Sequence, residues 1–171
     1  SDVYKRQVNN RKILEGFYSG LSISDTTNTI RIIDKLDKIG PDGVATMLSN
    51  DLELTPSIIE KVLTLATIKG SGNSVINQIR GLNVRSSILE EGINELEFVI
   101  QQLEKYKTGT FLVDLSIARG LAYYTGTVYE SRFTEYPDFP TICGGGRYDN
   151  LVGDFVNKKL PGIGISIGLT R

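Results

Sequence analysis

The chain has 171 residues, with 19 lysines and arginines, 20 aspartates and glutamates, and no histidine. Its formal net charge of −1 gives no bulk-charge argument for a nucleic-acid partner, although a local basic patch can still bind RNA. The single cysteine, Cys143, excludes an internal disulfide and a cysteine-based zinc site. The absence of histidine excludes Ser-His-Asp and Cys-His catalysis. We therefore predict no metal site and expect any chemistry to use arginines, carboxylates, hydroxyls and backbone amides.

No run of apolar residues reaches the length of a membrane helix, and the N-terminus lacks the basic and apolar segments of a signal peptide. A single cysteine also fits a reducing compartment. We therefore expect a cytoplasmic protein with no membrane partner.

The two ends of the chain differ in character from the rest. Residues 2–7 match one reading frame of a transposon adapter used in DNA sequencing, so residues 1–7 are interpreted as a non-native lead-in and left out of the fold. The stop at Arg171, straight after a Gly-rich apolar run, leads us to expect truncation there too.

Residues from about 10 to 107 have helical periodicity. Four helices are predicted, each begun by a capping residue or a proline; they run over residues 25–38 and 41–50, from Thr55 to about 66, and from Ser87 to about 103. Residues 70–73, Gly-Ser-Gly-Asn, are predicted to form a flexible loop.

After residue 108 the apolar pattern changes to alternation, which is typical of half-buried strands. Strands are predicted at residues 111–117, 127–133, 141–145 and 161–168. In the second of these, Val128, Glu130 and Arg132 share one face. In the last, small residues share one face and three isoleucines the other.

Residues 118–126, Ala-Arg-Gly-Leu-Ala-Tyr-Tyr-Thr-Gly, follow the first predicted strand directly. An arginine at a strand end can present a planar fork of donors to a phosphate or a carboxylate, so Arg119 is a candidate anion-binding residue. Tyr123 and Tyr124 offer aromatic walls with hydroxyl tips. Taken alone, a turn with an exposed arginine is the simpler interpretation.

Two glycine-rich segments follow. Residues 144–150, Gly-Gly-Gly-Arg-Tyr-Asp-Asn, would let a ligand approach the backbone closely, although a hairpin or bulge is the alternative. They match neither the Walker loop nor the dinucleotide fingerprint. The small-residue face from Gly162 to Gly168 leaves room for a flat ligand, with Arg171 just beyond it, although tight helix packing is the alternative. Together the three segments predict a nucleotide or anion site.

These segments resemble a known family. ARGLAYYTGTVYE at 118–130 resembles the signature of histidyl-tRNA synthetases, usually RGLDYYTG followed by an apolar-apolar-Glu strand. GGGRYDNL at 144–151 resembles that family's histidine-pocket segment, and PGIGISIGLTR at 161–171 resembles the start of class II synthetase motif 3. NNRK at 9–12 and IDKLDKIG at 33–40 resemble the opening of its insertion domain. The chain is therefore identified as an internal part of a family member, from about Val8 to Arg171.

The resemblance implies a reaction and a set of site residues. The family activates histidine with ATP, which brings Mg²⁺ as its metal, and then esterifies the 3′ end of tRNA(His). Arg119 would be the catalytic arginine, in contact with the α-phosphate and the histidine carboxylate. The implied histidine-binding residues are Tyr123, Tyr124, Gly144, Gly145, Gly146 and Tyr148. The implied ATP-binding residues are Arg119, Gly168 and Arg171. Arg147 and Asp149 are given structural roles, and the role of Glu130 is left open.

The fold class that the resemblance implies is α+β, a helical insertion domain joined to part of an antiparallel class II synthetase β-sheet core. Residues 8–107 would form the insertion domain over the acceptor arm of tRNA(His), and residues 108–171 the C-terminal part of the catalytic core. Candidate phosphate contacts are Lys61, Lys69, Arg80 and Arg85. The full-length protein would be a homodimer without a prosthetic group. Motifs 1 and 2 and the anticodon-binding domain are missing, so we predict that this chain alone is inactive and exposes apolar surface.

Two alternatives share the core fold. The histidine-sensing regulatory subunit of ATP phosphoribosyltransferase usually lacks the helical insertion and often varies the arginine signature. Residues 10–107 and the intact Arg119-Gly120-Leu121 therefore argue against it, whereas Ala122, at the family's usual Asp, argues slightly for it. A synthetase-like sensor domain inside a stress kinase typically degrades these motifs, which are well kept here.

Overall fold

The computed structural model describes residues 4–105, 111–119, 123–136, 138–151 and 160–168. The helices in these ranges are α1 (Arg11–Gly20), α2 (Thr26–Ile33), α3 (Leu36–Leu52), α4 (Pro56–Thr67), α5 (Gly72–Gly81) and α6 (Ser87–Lys105). The strands are β1 (Tyr4–Asn10), β2 (Lys69–Gly70), β3 (Phe111–Asp114), β4 (Thr127–Phe133), β5 (Cys143–Tyr148) and β6 (Gly162–Ile167).

The strands form one sheet in the order β2-β3-β1-β4-β5-β6. β1 runs parallel to β3, and the other neighbouring pairs are antiparallel. The predicted mixture of helices and strands is confirmed. The sheet is antiparallel, as predicted, except for the β1–β3 pair. β3 ends before the predicted residue 117, because the Asp114 carboxylate accepts hydrogen bonds from the backbone and hydroxyl of Ser116 at 3.0 and 2.6 Å and turns the chain.

Residues 4–7, which the sequence analysis left out of the fold with the lead-in, belong to β1 in the interior of the sheet. Lys5 pairs with Arg132 and Gln7 with Glu130 on one side, while Gln7 pairs with Leu112 on the other. Their exclusion from the fold was therefore wrong. Local patterns could not reveal this strand, because its partners lie far along the chain; Gln7 bonds to a residue 107 positions away. The adapter origin of these residues stays a prediction.

The starts of α2 and α4 follow the predicted signals, whereas α1 and α5 were not among the four predicted helices and α3 begins before the predicted Pro41. Asp25 caps α2, its carboxylate accepting a 3.0 Å hydrogen bond from the Asn28 backbone. α2 ends at Ile33, short of the predicted residue 38, and a tight turn leads into α3. At the predicted break Gly40 has φ +69, a left-handed value that kinks α3. The predicted loop at residues 70–73 was wrong in part, since α5 begins at Gly72.

The longest helix, α6, is capped one residue earlier than predicted. Ser86 Oγ accepts a hydrogen bond of 3.0 Å from the Leu89 backbone and donates one of 2.8 Å to the Gly16 carbonyl in α1. The cap therefore also joins the two helices. The N-cap of α6 is Ser86, and the predicted cap Ser87 is the first residue of the helix.

Helices α1 and α6 cross at very short range. A Cβ added at Gly92 would lie 2.7 Å from the Ile13 backbone nitrogen, and one at Gly16 would overlap the Leu89 backbone. Their buried side chains belong to a single apolar cluster that reaches from Val8 through all six described helices to β3 and Ala118. Within the described ranges, none of the helices combines the length and apolar content needed to span a membrane.

Candidate active site

Arg119 lies a few residues beyond the end of β3, with φ +42, an uncommon left-handed value for a residue with a side chain. Its Nη1 donates a 2.9 Å hydrogen bond to Glu130 Oε1 on β4. Partial burial would lower the pKa of Arg119, but the hydrogen bonds and charges of Glu130 and Tyr124 outweigh it and raise that pKa. The guanidinium therefore keeps its positive charge and has a defined direction.

Glu130, whose role the sequence left open, joins three side chains. Besides Arg119, it accepts hydrogen bonds on Oε2 from Thr141 Oγ1 at 3.0 Å and from Arg132 at 3.4 Å. The Glu130 side chain is 9% exposed, so the carboxylate is desolvated and depends on these donors. Arg132 also contacts Asp37 of α3 at 3.0 Å. Strand alternation placed Glu130 and Arg132 on one face, but did not show which side chains they would meet.

Three tyrosines form an aromatic wall beside the arginine. The Arg119 Cζ lies 5.9 Å from the centre of the Tyr124 ring, within the range of a cation–π contact. The Tyr123 ring lies 4.6 Å from Tyr124 and 6.1 Å from Tyr148. Hydrogen bonding to Tyr124 and partial burial raise the pKa of Tyr123, so its hydroxyl stays protonated.

Two of the three glycines of β5 face this cluster. A Cβ at Gly144 would lie 2.6 Å from Arg119 Nη1, and one at Gly146 would lie 2.8 Å from Tyr124 Cδ1. Side chains at both positions would occupy the space that the arginine and the tyrosine now fill. The Cβ direction of Gly145 meets the β6 backbone instead, as strand alternation requires.

The small-residue face of β6 is divided between packing and open space. Tyr148 covers its first half, since a Cβ at Gly164 would lie 2.7 Å from the Tyr148 hydroxyl. The expected room for a flat ligand is therefore restricted to the second half. There a cavity of about 230 Å³ is lined by Arg119, Thr141, Ile142, Cys143, Gly144, Ser166 and Gly168. This cavity brings Gly168 and Arg119 together, as the sequence predicted.

Arg147 and Asp149 hold the turn that follows the tyrosines. Arg147 Nε donates to Asp149 Oδ1 at 2.9 Å, Thr125 Oγ1 donates to Asp149 Oδ2 at 3.0 Å, and the Thr125 backbone donates to the Arg147 carbonyl at 2.9 Å. Burial would raise the pKa of Asp149, but these donors lower it overall. The contacts join the end of β5 to the start of β4.

Arg171 and Ala122 lie outside the described residues, so the predicted ATP contact of Arg171 stays a prediction. Among the candidate tRNA contacts, Arg80 is paired with Glu97 at 3.2 Å, and Lys69 lines a cavity of about 340 Å³ between the sheet and helices α2 and α3. These contacts within the protein do not test whether Arg80 or Lys69 binds RNA.

The chain is similar to known histidyl-tRNA synthetases. A family model described as histidyl-tRNA synthetase matches residues 11–171. The histidine–tRNA ligase of Thermobifida fusca is 48% identical over 164 residues, which cover 96% of this chain and 37% of that protein. The crystal structure of histidyl-tRNA synthetase from Nostoc sp. PCC 7120 matches with a TM-score of 0.89 and 40% identity, over 97% of this chain and 40% of that one.

A more distant structure shows the fold alone. It is described as an ATP phosphoribosyltransferase regulatory subunit/histidyl-tRNA synthetase from Bacillus halodurans, and it matches with a TM-score of 0.78 at 19% identity over 97% of this chain and 42% of that one. The structural likenesses thus define a synthetase-type α+β core. The family match over nearly the whole chain then shows that the chain belongs to the histidyl-tRNA synthetase family. It spans about two fifths of the length of these relatives.

Proposed function

We propose that the protein to which this chain belongs activates histidine with ATP and transfers it to the 3′ end of tRNA(His). The observation that supports this most directly is the position of Arg119. Its charged guanidinium is fixed by buried Glu130 at 2.9 Å and lines a cavity of about 230 Å³ together with Gly144 of β5 and Gly168, which follows β6. Family membership suggests the reaction, and the Arg119 guanidinium is a group suited to it.

In the proposed first step, a histidine carboxylate oxygen attacks the α-phosphorus of ATP and the bond to pyrophosphate breaks. Negative charge grows on the phosphoryl oxygens during that step. A fixed cation in a partly dry pocket stabilises this charge without reorganising. Arg119 has that role in the proposal, with Glu130 holding it in place. In the second step a ribose hydroxyl of the tRNA attacks the adenylate carbonyl, and AMP leaves.

The remaining assignments complete the proposal. Histidine is bound by Tyr123, Tyr124, Tyr148 and the glycines at 144–146, and ATP by Arg119, Gly168 and Arg171, with Mg²⁺ arriving as the metal of ATP. Residues 8–107 act as an insertion domain facing the tRNA acceptor arm, and residues 108–171 as the C-terminal part of the catalytic core. The complete protein is proposed to be a cytoplasmic homodimer.

The test is amino-acid-dependent ATP–pyrophosphate exchange by the complete gene product that contains this chain. We expect exchange with histidine and with none of the other amino acids. Arg119→Ala should lower kcat by about 10²- to 10³-fold, the usual loss when one charge-stabilising donor is removed. Arg80→Ala, which removes an arginine paired with Glu97, is the control and should leave exchange unchanged. Exchange with another amino acid would contradict the proposed substrate.

A second candidate is the histidine-sensing regulatory subunit of ATP phosphoribosyltransferase. Ala122, at the family's usual aspartate, is the observation that favours it, whereas the Bacillus halodurans structure shows only that the fold is shared. A folded complete protein that binds histidine in calorimetry but catalyses no exchange would support this second function over the first.

A further inference from the structure

We propose that Arg11 is a positioning residue for Arg119. Together with Asn9 it acts through the backbone of residues 115–119, here named the arginine turn, which carries the proposed catalytic guanidinium. This inference rests on the proposed function, because it assumes that Arg119 acts on the substrate. It gives a role to the Asn-Asn-Arg segment at residues 9–11, which the sequence analysis matched to the family without a function.

Arg11 is 1% exposed, although it begins a helix at the end of a strand. A buried guanidinium is unfavourable unless its donors are satisfied. Its Nε is paired with Glu15 at 3.0 Å. Its Nη1 donates to the carbonyl oxygens of Ala118 and Arg119 at 3.4 and 3.3 Å. The planar fork thus reaches both the carboxylate on its own helix and the backbone of the arginine turn.

Asn9 holds the preceding part of the same turn. It is fully buried, and its Nδ2 donates to the Ile117 carbonyl at 2.9 Å and to the Leu115 carbonyl at 3.4 Å. On the other side of the turn, the Arg11 backbone nitrogen donates to the Gly126 carbonyl at 2.8 Å. Residues 9–11 therefore contact the arginine turn itself and also Gly126, which lies beyond it in the chain.

The turn requires such support because Arg119 has φ +42. Left-handed conformations of residues other than glycine cost free energy and persist where the surroundings over-determine them, often at active sites. Glu130 fixes the tip of the Arg119 side chain, whereas Arg11 fixes its backbone carbonyl. Without Arg11 the backbone can relax, and the guanidinium then loses either its contact with Glu130 or its place in the cavity.

The experiment uses Arg11→Lys in the complete gene product. Lysine keeps the positive charge but loses the fork that joins Glu15 to the two carbonyls. We expect kcat for histidine-dependent pyrophosphate exchange to fall about 10- to 100-fold, as small misplacements of catalytic groups do. The KM values for histidine and ATP should change less than about threefold, because the lost interaction acts in the transition state. Backbone amide exchange of residues 115–119 should become faster.

The matched control is Leu14→Ala, on the same helix. Leu14 is fully buried and belongs to the apolar cluster, so its truncation lowers stability without removing a bond to the turn. It should lower the melting temperature and leave kcat per folded enzyme unchanged. If Leu14→Ala and Arg11→Lys reduced kcat equally, or if Arg11→Lys changed only KM, the positioning role would be overturned.

A second variant and the amide-exchange measurement test the positioning role if the first experiment fails. If Arg11→Lys does not fold, Asn9→Ala removes the bonds to Leu115 and Ile117 while leaving Arg11 in place, and the same loss of kcat and faster amide exchange are expected. If the wild type shows no histidine-dependent exchange, the proposed function fails. The amide-exchange measurement still tests the positioning role of Arg11 in that case, since unchanged amide exchange of residues 115–119 in Arg11→Lys would refute it.

Discussion

Gly144 leaves the space that the Arg119 guanidinium occupies. A Cβ at this position would lie 2.6 Å from Nη1 and 2.9 Å from Cζ of Arg119. Gly144→Ala should therefore push the guanidinium away from Glu130. The fold should tolerate this, because the displaced atoms are the end of a flexible side chain. We expect kcat of histidine-dependent exchange by the complete gene product to fall about 10- to 100-fold, with little change in melting temperature.

Gly81 provides the control for that substitution. It ends α5, and a Cβ there would meet no atom within 4 Å. Gly81→Ala should keep full exchange activity, and stability should be unchanged or raised by up to about 1 kcal/mol, since alanine reduces the freedom of the unfolded chain. Full activity of Gly144→Ala would show that the observed position of the Arg119 guanidinium is not required.

At the scale of single residues, the sequence pointed to candidate site residues but not to the contacts that hold them. Arg119, Tyr124 and Gly168 were expected near one ligand. They lie close together because the arginine segment precedes β4, which pairs with β5, and β5 in turn pairs with β6. The supporting residues Arg11 and Glu130 could not be assigned. Their partners lie on other elements, and no local spacing shows which backbone carbonyl or guanidinium a buried side chain will meet.

Among the elements, the crossing of α1 and α6 depends on the small size of its glycines. Gly92 lies against the Ile13 backbone, where a Cβ would be only 2.7 Å from the nitrogen. Backbone cannot move aside as a side-chain tip can. Gly92→Ala should therefore separate the helices and lower the free energy of unfolding by about 1–3 kcal/mol, the usual cost of overpacking. Urea denaturation of the complete gene product measures this change.

The same Gly81→Ala variant is the control here, because it introduces an identical methyl group into a helix without a steric overlap. A Gly92→Ala protein as stable as the wild type would mean that α6 can shift relative to α1 at no cost. The short crossing seen in the structure would then have no energetic importance.

Some elements were predicted from local signals, whereas β1, which depends on distant partners, was not. The alternation over residues 127–133 and the cap at Asp25 are properties of neighbouring residues, so β4 and the start of α2 were found. β1 was missed because it is a strand only through its pairing with β3 and β4, which lie about 100 residues further along the chain. The N-cap of α6 is Ser86, which also bonds to Gly16 on another helix, and not the predicted Ser87.

For the whole molecule, we predict that the 171-residue chain alone does not catalyse histidine-dependent pyrophosphate exchange. It spans 37% of the Thermobifida fusca relative, and the apolar side chains on one face of β6 are open to solvent, with Ile163 at 74% and Ile165 at 61% exposure. Surface of this kind usually contacts another part of a protein. The isolated chain and the complete gene product should be assayed together at equal concentration. Exchange by the isolated chain, dependent on histidine, would contradict the prediction.

The position of β1 has a consequence for synthesis on the ribosome. Asn9 bonds to Ile117, which is 108 residues further along the chain. At ordinary elongation rates this partner emerges roughly 5–20 s later. During that interval α1 to α6 can form, while β1 lacks its partner strands β3 and β4. The contacts of Asn9 and Arg11 with the arginine turn are therefore completed late, after the helices have been translated.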